Sequence, residues 1–70
     1  MYPNLLAEMT RLNVKKSDIA ELLDKSLPTI YTKFERRTFT TDEMISIRDK
    51  FFSKMNLEYL FANTPMEALS

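Results

Sequence analysis

Seventy residues, 44% of them hydrophobic, supply one modest core and no material for a deep substrate cavity beside it. Cysteine and histidine are both absent, which removes disulfides, thiolate nucleophiles, imidazole bases and the usual zinc sites, so no catalytic residue, metal or cofactor is expected. The formal net charge is zero, and that balance weighs against a protein that coats nucleic acid through bulk charge alone.

Every segment reads as helix, with apolar residues at helical spacing and no convincing alternation of period two. Glycine is absent, so helix ends must use asparagine, aspartate or another polar residue where the backbone turns left-handed. Asn13, Asp24 and Asn63 stand where such stops are wanted. A first helix is predicted from about Asn4 to Leu12, burying Leu5, Met9 and Leu12 with Leu6 beside them. The second begins near Lys16 or Ser17, places Asp18 close to its positive end, and buries Ile19, Leu22 and Leu23. Asp24 and Lys25 make a turn; Ser26 caps the third helix, which tolerates Pro28 in its first turn and runs to Phe34 or Glu35.

Thr40 and Glu43 then form a Thr-x-x-Glu capping box, with Phe39 and Met44 at the positions of a hydrophobic staple. The fourth helix starts there, and its inner face is expected at Met44, Ile47 and Phe51, assisted by Ile45 and Phe52. Asn56 caps a final short helix carrying Leu57, Leu60 and Phe61. The fold class expected is therefore all-α, a compact five-helix bundle, with one domain over residues 1–63 and a tail over 64–70. Met66 and Leu69 in that tail, together with the last helix, are candidates for a contact between two copies.

The most informative stretch joins the second and third helices. Two short helices held at a fixed angle by a tight turn can push the second one into the DNA major groove. With Ile30 pointing inward, Phe34 lies about 40° and Leu27 about 60° away on a helix of 100° per residue, which makes one apolar stripe. Pro28, Thr32 and Glu35 then point outward, flanked by Thr29, Tyr31 and Lys33. Small hydroxyls, a proline ring and one aromatic can approach base edges closely. Charge gathers on the same half of the chain: residues 11–37 hold seven basic and four acidic side chains, residues 38–70 three basic and five acidic.

Ala20 in the second helix, the turn at Asp24, Ser26 opening the third and Ile30 in its middle resemble the helix-turn-helix of phage-repressor and Cro-like proteins, the XRE family. The likeness continues through Thr29 to Phe34, Phe39 and Thr40, Asp42 and Glu43, Ile47, and Asn56 to Phe61, the order of landmarks in small prophage-encoded members. It implies a lambda-repressor-like domain whose third helix enters the major groove, a DNA operator as partner, a two-fold dimer and transcriptional control, usually repression. By the same resemblance Leu27, Pro28, Thr29, Tyr31 and Thr32 face bases. Lys16, Lys25, Ser26, Lys33, Arg36 and Arg37 meet phosphates. The chain departs from the family pattern with Asp24 at the turn, where glycine is usual, and with no Gln, Arg or Asn in the first turn of the third helix.

The competing reading is a helix-turn-helix module that docks on another phage regulator and reads no DNA, favoured by the neutral charge and the missing polar readers. The aromatic group Phe51, Phe52, Tyr59 and Phe61 reads as core, and Asp42 with Glu43 as a helix-start pair, not a metal site. No apolar run approaches the roughly 18 residues that span a bilayer. No membrane partner and a cytoplasmic, nucleoid-associated location are expected.

Overall fold

The computed structural model describes residues 2–62. The expected stop at Asn63 and the tail over 64–70, with Met66 and Leu69, lie outside the described residues. Within them stand five helices and no strand: α1 Pro3–Leu12, α2 Lys16–Leu23, α3 Leu27–Arg36, α4 Thr41–Phe51 and α5 Leu57–Leu60. The central helix α2 packs against α3 and α4, while α5 packs against α1 and α4.

The helix starts follow from their capping residues. Ser26 accepts the Thr29 N–H, and Asn56 accepts the N–H groups of Glu58 and Tyr59. Thr40 and Glu43 exchange backbone-to-side-chain bonds of 2.9 and 3.2 Å, each satisfying an N–H that the first turn leaves without an intrahelical acceptor. At the start of α2 the carboxylate of Asp18 accepts the Lys15 N–H.

The helix ends solve the missing-glycine problem three times over. Asn13, Asp24 and Arg37 all adopt left-handed backbone, with φ of 57°, 55° and 56°. In each case the next residue donates back into the helix: Val14 to Met9, Lys25 to Ala20 and Thr38 to Lys33. That closure satisfies a terminal carbonyl. Asn13 and Asp24 match the sequence expectation, but Arg37 does not belong to the residue types that visit this region readily. The reason lies two residues on, because Phe39 must swing back beneath α3 to reach the core. Its ring lies 5.2 Å from Phe34 and 5.7 Å from Tyr2.

Tyr2, Phe34, Phe39 and Phe61 form one aromatic cluster whose ring pairs are edge-to-face except the tilted Tyr2–Phe39 pair, with Tyr2 also 5.3 Å from Phe61. Each such pair adds about 0.5–1.5 kcal/mol beyond the area it buries. Leu5, Ile19, Ile30, Ile47 and Leu60 fill the rest of the core with no exposure at all.

Several expected inner faces are corrected. Leu12 is 46% exposed, because α1 is rotated to put Asn4 and Glu8, with Leu5 and Met9, toward the interior. Those two polar residues are buried because α5 supplies their partners. Asn4 donates to the Tyr59 carbonyl at 2.9 Å, and the Tyr59 hydroxyl donates to Glu8 at 2.7 Å. Arg11 closes the network with two bonds to the other oxygen of Glu8. On α2, Leu22 and Leu23 are only half-buried. On α4, Met44 and Phe51 are half-buried and Ile45 is exposed; only Ile47 is enclosed. Phe52 is buried because the helix stops at Phe51 and frees it to turn inward.

The hydrogen bond from Tyr59, with help from Arg11, outweighs burial and holds the Glu8 carboxyl below the usual glutamate range. Tyr59→Phe is expected to cost about 1–3 kcal/mol at neutral pH. A depressed folded pKa means that this stabilisation is complete above the unfolded value of about 4.3 and is lost as pH falls through the folded value. Unfolding of both proteins across that acid range will show their stabilities converge at low pH. Separately, Arg37→Gly removes a left-handed arginine and is expected to raise stability by about 1 kcal/mol, seen as a higher urea midpoint at unchanged slope.

Candidate nucleic-acid interface

Ile30 and Phe34, at 0% and 1% exposure, fix the rotation of α3 about its own axis. The opposite side is open: Pro28, Thr29, Tyr31, Thr32, Glu35 and Arg36 are all exposed, Tyr31 by half of its surface. No described residue of another helix covers that face enough to bury any of them.

The threonine hydroxyls on this face are already engaged. Thr32 donates to the Pro28 carbonyl at 3.1 Å, and Ser26 and Thr29 share a bond of 2.8 Å. What α3 offers outward is therefore chiefly methyl groups, the proline ring, oxygen lone pairs and the Tyr31 phenol with its O–H. Ser26, expected at a phosphate, serves as the cap of α3. Leu27, expected at a base, is half-buried and packs on the core, which makes it an anchor of the helix start.

The cations divide into two groups. Lys16 stands with its ammonium 5.0 Å from the Tyr31 ring centre and 5.1 Å from that of Phe34, so it bridges the start of α2 to the middle of α3. Lys33 faces away from the open side. Its ammonium pairs with Glu43 at 3.1 Å, with both side chains over four-fifths covered, and lies 5.9 Å from the Phe39 ring. Burial raises the Glu43 pKa, but the Thr40 N–H, Lys33 and the charge of Lys25 overcome it and leave the carboxyl below its ordinary value. Lys25, Arg36 and Arg37 are exposed and make no close ion pair among the described residues. They surround the two ends of α3.

An open cleft of about 430 Å³ adjoins this face, lined by Leu6, Met9, Thr10, Val14, Lys15, Lys16, Ser17, Leu27 and Tyr31. Its rim carries the first turn of α2, where the N–H groups of Lys16 and Ser17 have no intrahelical acceptor. Lys15 was absent from the expected contact set, although it precedes that turn and is exposed. The inward turn of Lys33 was readable from the wheel, since it lies about 60° from Ile30 on the side opposite Phe34.

Among the described residues, no three His, Cys, Asp or Glu side chains gather as a metal ion would require. No helix among them is long and apolar enough to cross a membrane. No family model, curated protein or solved structure matches the chain.

The placement of Lys33 carries an expectation of its own. Lys33→Met leaves the Glu43 carboxylate enclosed without its counter-charge and is expected to lower stability by about 1–3 kcal/mol. A urea titration that finds the variant as stable as the parent would return Lys33 to the pool of cations available to a ligand.

Proposed function

We propose that this protein is a DNA-binding transcriptional regulator of the phage-repressor and Cro-like kind, built on a lambda-repressor-like bundle and acting as a homodimer on an operator duplex. α3 lies in the major groove, and the start of α2 rests against a phosphate beside it. The single observation that carries this reading is the open outer face of α3, held outward by the complete burial of Ile30 and Phe34 and flanked by exposed Lys25, Arg36 and Arg37.

Pro28, Tyr31 and Thr32 read bases by close apolar contact, for which the thymine methyl is the natural partner. With its hydroxyl proton committed to the Pro28 carbonyl, Thr32 acts as a methyl group and an acceptor, and sequence preference draws on duplex shape as well as base edges. Glu35 is compatible with the groove where it accepts from a cytosine amino group or pairs with a neighbouring arginine. Lys15 and Lys16, with the unsatisfied N–H groups of the first turn of α2, favour a phosphate at the rim of the cleft. Lys25, Arg36 and Arg37 take phosphates on either side. Lys33 is assigned to the support of α3 through Glu43.

The competing reading, a module that docks on another regulator, draws on the neutral net charge and on Tyr31 as an exposed aromatic anchor. A fluorescence-anisotropy titration against the promoter region beside the protein's own gene, repeated over a range of salt, separates the two. Affinity is expected to fall steeply with salt, by about 0.9 log unit per log unit of salt for each phosphate neutralised. Reversing Arg36 and Arg37 to Glu is expected to weaken binding about tenfold or more on every sequence, whereas Thr32→Ala shifts the preference among sequences. Arg37→Gly is the informative control, since it loses affinity while gaining stability. Absent or salt-independent binding, with tight capture of a neighbouring regulator, supports the competitor.

A further inference from the structure

Leu12, Leu22, Phe51 and Met55 are apolar residues that the fold leaves unfinished: Leu12 is 46% exposed and the other three are half-buried. They lie on one side of the molecule. Phe51 is the common wall of two adjoining clefts. One, of about 370 Å³, is lined by Asp18, Glu21, Leu22, Lys50 and Phe51; the other, of about 200 Å³, holds Leu12, Phe51, Lys54 and Met55 among its lining. The acids of this patch come from α2, and the lysines from the end of α4 and the turn that follows it. None of these four charges makes an ion pair among the described residues.

We propose that this patch is the contact face for a second copy of the chain across a two-fold axis. A two-fold contact uses the same surface on both copies, so the patch must be complementary to itself. This one carries two acids, two lysines and an apolar ridge at Phe51. Turned against its own image, it sets the α2 acids of each copy against the lysines of the other, and the two Phe51 ridges exclude water from one another together with Leu12 and Met55. A polyanion such as DNA meets Asp18 and Glu21 there, and a protein of either single charge meets one repulsive pair. No residue of α3 lines either cleft, so the contact leaves the outer face of α3 open in both copies. The inference deepens the two-copy part of the reading above and places the contact on α2 and α4, away from α5 and the tail.

Sedimentation velocity of the full chain without DNA, from micromolar to millimolar concentration, tests it. A reversible monomer–dimer equilibrium is expected, and Leu12→Glu is expected to raise the dissociation constant about tenfold or more. Circular dichroism checks that this variant stays folded. Charge reversal keeps the test decisive if it does not: Glu21→Lys and Lys50→Glu each weaken self-association, and an equimolar mixture of the two variants associates more tightly than either alone. A chain that stays monomeric throughout overturns the proposal and leaves the patch to a different protein or to residues 63–70. A dimer indifferent to Leu12→Glu and to both reversals overturns it as well. Anisotropy with the duplex, run in parallel, reports on the DNA reading separately.

Discussion

The burial of Ile30 and Phe34 determines what α3 can present to a partner. Removing such side chains from water stabilises the fold by about 1.5–3 kcal/mol each, and Phe34 adds its edge contacts with Tyr2 and Phe39. Turning α3 about half way round would expose both and drive Thr32 and Glu35 toward the core, where an unpaired carboxylate costs far more than the rotation could return. Lys16 and Lys33 reinforce that setting from two sides, one over the Tyr31 and Phe34 rings and one tied to Glu43. Each contact acts on orientation, and orientation is what a recognition surface needs.

A chain without glycine accepts backbone strain where a tighter fold demands reversal. Asn13 and Asp24 adopt the left-handed region at modest cost, and Arg37 does so at a larger one, about 1–2 kcal/mol for a residue of its type. The return is the aromatic cluster, which exists because Phe39 folds back within three residues of the end of α3. α5 is likewise too short to form alone. Asn56 starts it, Leu60 buries completely, and the polar bonds from Asn4 and Glu8 attach it to α1.

Local signals were legible in the sequence wherever the chemistry was local. The capping box at Thr40 and Glu43, the caps at Ser26 and Asn56, the stops at Asn13 and Asp24 and the inward setting of Ile30 all depend on residues within one or two turns. Positions that depend on a distant partner were not legible. Tyr2 gave no core signal because its neighbours in the cluster lie more than thirty residues away along the chain. Asn4 and Glu8 gave no core signal because their partner, Tyr59, lies more than fifty residues away. That pair rotates α1 and turns Leu12 outward. Of the candidate site, the exposed face of α3 and the inward turn of Lys33 were readable on the helical wheel, but the partner that holds Lys33, Glu43 ten residues further on, needed the third dimension.

With zero net charge, attraction to a polyanion has to come from where the charges sit. Lys33 is neutralised by Glu43 beneath α3, and the cations left exposed near α3 are Lys25, Arg36 and Arg37, with Lys16 at its flank. Backbone amide NMR of labelled protein titrated with duplex from the flanking promoter tests most directly whether this face is the one used. The expected result is a set of shifts centred on residues 27–37 and on the start of α2 near Lys15 and Ser17. Shifts confined to the Leu12 and Phe51 side, or none at a duplex concentration that saturates a true operator, would contradict the assignment.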